Sequence, residues 1–389
     1  MKSKRNILFV SSWYPSKYQP TLGIFIQRKA EAVATMHHVT VLHACYGENM
    51  QENTFNIETR EDHLVREILI YYGRSQSFLP PLRKIKNYLN LRKAYLEGLK
   101  KAIELSKNFD LIHLNIPWPI GLIGRKISKK LNIPYLVSEH WTGYHPSDGR
   151  YRGWLMKFIT KKTISDAKFV VTESDFVSRV MMKHGIRGNF ISVPNVVDIE
   201  MFSPEKNLPL NNMFIHVSSL DDPQKNVSGL IRAFAEAQKM EPEIRLNIVG
   251  SGRNDEVLHQ LVGQLGLEKN VFFSGLKKGR ELANIFRQST ALILFSRYEN
   301  QPVVILEALC SGIPVISTNV GSIPELISQE RGILISPEDE KGLIQAIIKM
   351  HKERVTYDSE SIRGFAVKQF SKQVIAEKLD SIYQKVLSA

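Results

Sequence analysis

Short apolar runs alternate with longer segments of helical periodicity along the whole chain. Runs at residues 6–11, 213–218 and 291–295 have the length and composition of buried parallel strands. The segments between such runs, for example 24–35 and 227–239, have apolar residues at helical spacing. This alternation contains no low-complexity segment and no repeat shorter than a domain. It therefore predicts an α/β fold of two doubly wound domains.

One strand–helix–strand unit within residues 290–326 is the most informative part of the pattern. A polar loop follows the strand at 291–295, Pro302 opens a helix, and Gly312 ends it before a second strand at 314–317. A parallel pair with a right-handed crossover is expected from such a unit. Ligands of such sheets bind outside the carboxyl ends of the strands.

Two carboxylates flank the start of this helix. Glu299 lies in the loop before it, and Glu307 lies in its second turn. The first turn between them offers free N–H groups and the positive end of the helix dipole, which together favour an anion. Carboxylates repel phosphate but accept hydrogen bonds from hydroxyls. A nucleotide sugar satisfies all three features, whereas the alternative is that both residues are solvated surface groups.

Length and composition limit the remaining possibilities. The chain has 389 residues, enough for two domains, and a hydrophobic fraction of 43% that is ordinary for a globular protein. The N-terminal apolar run is too short for a signal peptide, and no stretch reaches the roughly 20 apolar residues of a membrane span. Cys45 and Cys310 lie far apart in apolar contexts, which predicts two thiols and a cytoplasmic protein.

The net charge of +13 is concentrated in one half of the chain. Residues 1–190 have 30 Lys and Arg against 15 Asp and Glu, and residues 191–389 have 22 against 24, which gives +15 and −2. The basic half favours an anionic partner, either the inner surface of the membrane or a lipid-diphosphate-linked acceptor. Solvated helix faces are the alternative. A nucleic-acid-binding protein is disfavoured, because the basic residues lie beside apolar helical stripes and no recognised motif is present.

These residues also resemble a known family. Glu299 and Glu307 are separated by seven residues and followed by Ala-Leu, by Ser-Gly-Ile-Pro-Val-Ile and by Gly-Ser-Ile-Pro-Glu. This order and spacing is similar to that of the retaining glycosyltransferases of family 4 (group 1). Residues 193–204 resemble the interdomain signature of the family. The chain departs from the family at residues 300–302, where Asn-Gln-Pro replaces a frequent Gly-Phe-Gly.

The resemblance implies the GT-B fold, with two Rossmann-like domains facing an interdomain cleft. It implies an acceptor-binding domain over residues 1–196, a donor-binding domain over residues 197–371, and a last helix, about 372–389, that crosses back to the first domain. It also implies a hexosyltransferase of polysaccharide biosynthesis. Such an enzyme moves a sugar from a nucleotide sugar, UDP- or GDP-linked, to a glycan or lipid-linked acceptor.

For the donor, the resemblance implies residues at several strand ends and at one helix start. Lys225 would neutralise the leaving diphosphate, Glu307 would accept hydrogen bonds from the ribose, and Glu299 would lie near the donor sugar. The alternative interpretation is that Lys225 is a surface lysine in a loop. Ser219 stands where the family usually has an Arg, and Arg253 is a candidate substitute cation. The other implied donor positions are Gly23, Gly250, Gly252, Leu276, Gln301, Pro302 and Val303. At Gly23 a side chain would collide with the phosphates, and the alternative is that this glycine belongs to a plain turn.

For the acceptor, the resemblance implies His140, which would steady the reacting sugar or the acceptor after the strand at 134–137. A structural, hydrogen-bonded histidine is the alternative. Glu139 is a second candidate acceptor contact. Because no other carboxylate lies on this loop, we expect same-face substitution, in which the donor's β-phosphate accepts the acceptor's proton. His140, Glu299 and Lys225 are therefore the candidate catalytic residues.

No metal is expected, because no Asp-x-Asp pair follows a strand, and no cofactor is expected beyond the nucleotide-sugar substrate. An epimerase of the same fold remains an alternative, and it would lack acceptor dependence. Release of free nucleotide only in the presence of an acceptor separates a transferase from it. A nucleotide-dependent dehydrogenase is disfavoured, because Gly23 alone does not supply a three-glycine fingerprint. The base, the sugar and the acceptor are left open.

Overall fold

The computed structural model describes residues 4–62, 64–205 and 211–388. The chain divides into two compact units, one made of Met1–Val196 together with Lys372–Ala389, and one made of Val197–Ser371. Each unit has its own sheet of mainly parallel strands, with buried apolar clusters on both faces. The predicted α/β class with two doubly wound sheets is confirmed.

The strands lie close to the predicted apolar runs, and most bounds differ by one or two residues. In the first unit they are β1 (Asn6–Ser11), β2 (His38–Tyr46), β3 (Phe55–Asp62), β4 (Val65–Tyr72), β5 (Leu111–Asn115), β6 (Tyr135–Glu139), β7 (Val170–Thr172) and β8 (Phe190–Ser192). In the second unit they are β9 (Met213–Val217), β10 (Arg245–Val249), β11 (Val271–Gly275), β12 (Ala291–Leu294), β13 (Val315–Thr318) and β14 (Gly332–Ile335).

The helices connect these strands in the predicted alternation. They are α1 (Ile24–Ala34), α2 (Pro80–Ser106), α3 (Pro117–Leu131), α4 (Trp154–Ser165), α5 (Asp175–Lys183), α6 (Asp222–Lys225), α7 (Val227–Met240), α8 (Asp255–Gln264), α9 (Gly279–Arg287), α10 (Val303–Cys310), α11 (Ile323–Leu326), α12 (Glu340–Glu353), α13 (Ser359–Phe370) and α14 (Lys372–Ser388). Short 3₁₀ turns occupy Thr142–Tyr144 and Arg354–Thr356.

The sheet of the first unit has the strand order β3-β4-β2-β1-β5-β6-β7-β8 in the described part of the chain. From β1 the chain adds strands first on one side and then, from β5, on the other. All pairs are parallel except β3 with β4, which is an antiparallel hairpin at the edge. The strand β3 was not predicted, because it carries alternating charged residues and both of its faces are largely exposed.

Helices cover both faces of this first sheet. Apolar residues of α2, α3 and α4 pack in one cluster on one face, as Tyr95, Ile120 and Ile164 show. Residues of α1 and α14 pack in a second cluster, which includes Ile26 and Tyr383. The last helix of the chain is therefore part of the first unit.

The sheet of the second unit has the order β11-β10-β9-β12-β13-β14 across the residues that are described. Its strand order reverses between β9 and β12, the arrangement of a topological switch point. Residues of α7, α8 and α12 pack on one face, and residues of α9, α10 and α13 pack on the other.

Two further sequence predictions bear on the fold. Cys45 and Cys310 are both free thiols, half-buried and buried respectively, as predicted. Within the described ranges, each helix is too short or too polar to cross a membrane.

Candidate functional site

The switch point of the second unit brings two predicted residues together. β9 and β12 are paired neighbours, and Lys225 follows β9 at the end of α6 whereas Glu299 follows β12. Ligand sites of doubly wound sheets lie at the carboxyl ends of the strands at such a point. Lys225 Nζ lies 2.6 Å from Glu299 Oε1. The predicted cation and the first predicted carboxylate therefore form an ion pair.

The Glu299 carboxylate is held in a nearly buried position. Its residue is 4% exposed, and Ser296 Oγ donates to Oε1 over 2.7 Å. Ser322 fixes the same loop through its N–H and its hydroxyl, which donate to Asn300 O over 3.0 and 2.7 Å. Gly321 has φ +62°, and a Cβ there would lie 2.1 Å from Glu299 O. Glu299 is thus a placed carboxylate rather than a solvated surface group.

Arg297 ties α6 to the loop that carries Glu299. Its N–H donates to Gln224 O over 2.8 Å. Its guanidinium donates to Asp222 O over 2.6 Å and to Asn226 Oδ1 over 2.8 Å. These contacts join two segments more than seventy positions apart in the sequence. Sequence reasoning missed this residue, because no local pattern marks a long-range contact of this kind.

The start of α10 differs by one residue from the prediction. Pro302 is the N-cap, with φ −69° and ψ 116°, and Val303 is the first helical residue. The N–H of Ile305 donates to Pro302 O over 3.1 Å, and Pro302 itself has no N–H. The first-turn groups that could meet an anion are therefore the N–H groups of Val303 and Val304. Gln301 is buried beside the cap. Glu307 follows in the same helix and is 4% exposed, so both predicted carboxylates present only their edges to solvent.

Gly250 and Gly252 are required for the approach of two loops. Gly250 has φ +139°, and an added Cβ would lie 1.8 Å from Ser218 O. At Gly252 a Cβ would lie 1.9 Å from Ser219 O. Gly250 also donates its N–H to Gly275 O over 2.9 Å. The packing of the protein alone therefore accounts for glycine at both positions.

The three remaining predicted positions on this edge provide little charge. Ser219 is exposed and supplies no cation. The guanidinium of Arg253, the candidate substitute, is paired with the carboxylate of Asp221. Leu276 follows β11 and is largely exposed. Of the predicted candidate cations, Lys225 is therefore the one that the structure pairs with Glu299.

A buried histidine that sequence reasoning missed joins the two central strands of this unit. His216 in β9 has Nδ1 2.9 Å from Ile293 O and Nε2 2.8 Å from Ser218 Oγ. Burial lowers the pKa of His216 to about 4, so its imidazole is neutral near pH 7.

In the first unit, His140 follows β6 and is nearly buried. Its imidazole is 2% exposed and lies against the Phe25 ring, with 4.7 Å between the ring centroids. Its Nδ1 lies 3.5 Å from Glu173 Oε2. Burial holds the pKa of His140 well below its usual range, and the positive charge of Lys29 adds to this effect. The imidazole is therefore neutral.

Lys29 contributes a buried cation to the same cluster. It lies in α1 with its side chain fully buried, and Nζ donates to Val193 O over 3.3 Å. Burial lowers the pKa of Lys29 to about 8, and the negative charge of Glu173 opposes this shift. Lys29, Glu173 and His140 thus form a buried charged cluster next to the end of β6.

Glu139 is a buried carboxylate at the end of β6. β6 continues through Glu139, two residues beyond the predicted strand end, and the side chain is fully buried. Its carboxylate accepts from the N–H groups of His140 and Trp141 over 2.9 and 3.0 Å, and from Tyr144 Oη over 2.7 Å. Burial raises the pKa of Glu139 to about 7. In this structure the carboxylate holds the His140 loop, and its predicted acceptor contact stays a prediction.

Gly23 begins α1 in a left-handed conformation with φ +75°. A Cβ there would lie 2.8 Å from the backbone carbonyl carbon of Trp13. The turn before α1 therefore requires glycine irrespective of any phosphate.

A pocket of about 670 Å³ opens at the carboxyl edge of the first sheet. Its wall includes residues that follow β1, residues at the ends of β2 and β4, residues of α2 and the start of α3. Its aromatic side chains are those of Trp13, Tyr18, Tyr46, Tyr72 and Tyr95. Arg74 lies over the Tyr46 ring, 4.0 Å from its centroid. Sequence reasoning missed this pocket, because its residues come from five separate segments.

No group of three or more His, Cys, Asp or Glu side chains suited to a metal ion occurs in the part of the chain that the structure describes. The structure therefore gives no metal site to set against the prediction of metal independence, which stays a prediction.

Two family models match the chain, and the matches adjoin. The model of Glycosyltransferase Family 4 matches residues 22–201, and that of Glycosyl transferases group 1 matches residues 198–364. Together they span the candidate residues of both units.

Similar proteins include enzymes of sugar transfer. The α-monoglucosyldiacylglycerol synthase of Streptococcus pneumoniae is 24% identical over 314 residues, 75% of this chain and 71% of that protein. The structure of sucrose-phosphate synthase from Thermosynechococcus elongatus has a TM-score of 0.78 at 20% identity, covering 99% of this chain and 100% of that one. Anabaena HepE in complex with UDP has a TM-score of 0.71 at 18% identity, covering 98% and 100%.

Proposed function

The chain belongs to the glycosyltransferases of the family 4 and group 1 type and has the GT-B fold, and from this premise we propose its reaction. It transfers a sugar from a nucleoside diphosphate sugar to a glycan or lipid-linked acceptor, with retention of configuration and without a metal. The observation that carries the proposal is the Lys225–Glu299 pair at the switch point of the second unit. HepE binds UDP, which favours a uridine diphosphate sugar among the candidate donors.

The donor's diphosphate would lie at the start of α10. The N–H groups of the first turn and the positive end of the helix dipole favour an anion there. Lys225 would then share its charge between Glu299 and a phosphate oxygen. Glu299 would accept a hydrogen bond from a hydroxyl of the donor sugar, and Glu307 would accept hydrogen bonds from the hydroxyls of the ribose. Gly250, Gly252 and Leu276 would lie near the nucleoside.

The proposed reaction is a substitution on one face of the sugar. The bond from the anomeric carbon to the β-phosphate oxygen breaks, and a bond from that carbon to the acceptor oxygen forms on the same face. The acceptor's hydroxyl proton moves to the departing diphosphate. Lys225 and the dipole of α10 stabilise the negative charge that develops on this leaving group.

The acceptor would bind the first unit. Sugars pack on aromatic rings, and the pocket of about 670 Å³ has Trp13, Tyr46 and Tyr72 in its wall. His140 keeps its role as the candidate acceptor-side residue, and Glu139 acts by holding its loop. We place the enzyme in the cytoplasm, at the inner face of the membrane.

The test is a nucleotide-release assay with UDP-, GDP- and ADP-sugars in the presence and absence of acceptor glycans. Lys225→Ala and Glu299→Gln should each lower the transfer rate by roughly 10²–10³-fold. The first variant removes the cation that stabilises the leaving diphosphate, and the second removes the carboxylate that positions Lys225 and binds a hydroxyl of the donor sugar. The pair Lys239 and Glu236 offers matched controls, since it is an exposed ion pair of similar length in the same unit, 2.6 Å. Lys239→Ala and Glu236→Gln should leave the rate unchanged.

Three outcomes would contradict parts of the proposal. Full activity in Lys225→Ala or Glu299→Gln would remove that residue from the mechanism. Conversion of the nucleotide sugar to another nucleotide sugar without any acceptor would instead indicate an epimerase. Activity that is lost with EDTA and restored by manganese would reject metal independence.

A further inference from the structure

Two segments of the first unit expose large apolar side chains beside basic ones. The first segment leads into α2. Phe78 precedes the helix and is 100% exposed, and Leu79, the N-cap, is 64% exposed. Leu82, Ile85 and Leu89 continue this exposed series along the helix at spacings of three and four residues. A soluble surface rarely carries so many exposed large apolar residues in one place.

The second segment begins α4. Trp154 is 77% exposed, and Leu155 and Phe158 are also exposed. Phe158 lies four residues after Trp154, so the two rings share one face of the helix. The first full turn of α4 therefore presents an apolar face that no other described part of the chain covers.

Both segments are basic and contain no acidic residue. Residues 74–93 include six Lys or Arg and no Asp or Glu, and residues 150–165 include five Lys or Arg and no Asp or Glu. Lys86, Arg150 and Lys162 are paired with the neighbouring carboxylates Glu52, Asp148 and Asp166, and the other basic residues leave an excess of positive charge beside the apolar side chains. Such a combination suits a surface that is apolar within and negatively charged outside. The interfacial layer of a bilayer with anionic lipids has both properties.

The topology places both segments at the same edge of the unit. β4 and β6 run in the same direction through the parallel ladder β4-β2-β1-β5-β6. α2 follows β4 and α4 follows β6, and both helices pack on the same face of the sheet. Their first turns therefore lie at its carboxyl edge, separated by four strand spacings, roughly 19 Å.

The aromatic pocket lies between the two segments at this edge. Its wall takes Tyr72 from the end of β4 and Pro119 from the start of α3, which follows β5. A surface that contacts both segments would therefore meet the mouth of the pocket.

We propose that the exposed first turns of α2 and α4 insert their apolar side chains into an anionic bilayer surface, and that the acceptor is an amphiphile presented to the pocket from that bilayer. The proposal deepens the proposed function by naming the class of its acceptor, and it rests on that function for the acceptor alone. Lipid binding itself is independent of sugar transfer. Two insertions on either side of one pocket would fix the orientation of this unit on the membrane.

The experiment is co-flotation of the full chain with vesicles of phosphatidylcholine alone or of phosphatidylcholine mixed with phosphatidylglycerol, without any nucleotide sugar. We expect binding to the anionic vesicles, with an affinity that falls as salt is added. Each basic residue near such a surface contributes roughly fivefold in affinity. Lys84→Glu should therefore lower binding by more than fivefold, because it removes one positive charge and adds a negative one.

The apolar contribution is tested by Phe78→Ser with Leu79→Ser, and separately by Trp154→Ser with Phe158→Ser. Each pair should lower binding by at least about tenfold, because burial of one large apolar side chain contributes more than that factor. Val257→Ser with Val355→Ser is the matched control, since both valines are exposed in the second unit. All these residues are exposed, so unchanged thermal unfolding of each variant verifies that the fold is intact.

Equal binding to neutral and anionic vesicles would overturn the electrostatic part of the proposal. Unchanged binding in both apolar variants would overturn insertion. A dimer in light scattering that Trp154→Ser abolishes, with no vesicle binding, would assign this face to a second copy of the chain. If vesicle binding follows the proposal but the chain transfers no sugar to any acceptor, the proposed function fails while this surface stands.

Discussion

The buried Lys29 predicts a specific dependence of stability on pH. The perturbation is the double variant Lys29→Met with Glu173→Gln, which removes both charges of the buried cluster while keeping the side-chain volumes. Burial lowers the pKa of Lys29 from 10.5 to about 8 in the folded chain. Between these two values the unfolded chain holds a proton that the folded chain has lost. The wild type therefore gains stability relative to the variant as pH rises from about 8 to 10.5.

The magnitude follows from the size of this pKa shift. A difference of one pKa unit corresponds to about 1.4 kcal/mol, so the shift from 10.5 to about 8 gives roughly 3 kcal/mol. The single variant Glu173→Gln should extend the effect to lower pH, because it removes the negative charge that opposes the fall in the pKa of Lys29. Near neutral pH this variant should also be destabilised by roughly 3–5 kcal/mol, the usual cost of leaving one buried charge without its partner.

The assay is urea unfolding followed by tryptophan fluorescence at several pH values. The four tryptophans, Trp13, Trp118, Trp141 and Trp154, all lie in the first unit, so the signal reports the unit that contains Lys29. Lys130→Met is the control, since Lys130 is an exposed residue at the end of α3. A difference between wild type and double variant that stays flat above pH 8, or falls, would refute the assignment of a buried cation.

Two other predictions concern the second unit. Arg297→Ala should destabilise the second unit by roughly 1–3 kcal/mol and weaken UDP binding in calorimetry, because it frees α6 from the Glu299 loop. Arg297→Lys should fail to restore either quantity, since an ammonium cannot reproduce the guanidinium fork. Full restoration by lysine would contradict this account. Gly250→Ala should lower the free energy of unfolding by several kcal/mol, because its Cβ would lie 1.8 Å from a carbonyl oxygen. Gly364→Ala in α13 is the control, since no atom lies within 4 Å of its added Cβ, and it should be neutral or stabilising by up to about 1 kcal/mol; equal losses in the two variants would be evidence against the steric argument.

The sequence predicted the fold well where buried segments have a clear apolar pattern. Parallel strands buried on both faces are continuous apolar runs, and their order along the chain follows from the alternation with helices. The edge strand Phe55–Asp62 escaped prediction because its exposed residues are not under this constraint. Helix ends were less accurate, as at α10, where Pro302 is the N-cap and the helix begins at Val303.

The candidate site was predicted in part. Lys225 and Glu299 lie together because strand ends at a switch point converge, which is a rule of topology that the sequence can express. The burial of Glu139 was not predicted, because the strand continues two residues further than its apolar run and turns the carboxylate inward. Arg297 and the aromatic pocket depend on contacts between distant segments, which no local spacing encodes.

Lys29 shows a signal that was present but unused. Ile26, Ala30 and Val33 form the buried stripe of α1, and Lys29 lies on the same face one turn after Ile26. A lysine inside an apolar stripe predicts either a long side chain reaching solvent or a buried charge with a partner. Only the structure, which supplies Glu173 from the end of β7, decides between these two.

The position of α14 has a consequence for how the protein is made. Residues 197–371 are synthesised in full before α14 leaves the ribosome, yet α14 supplies Tyr383 and Ile375 to the core of the first unit. During translation the face of α1 that α14 covers therefore stays bare while the entire second unit emerges and folds. The unit that is translated first is completed last, so a nascent or prematurely terminated chain presents that apolar face to chaperones and proteases.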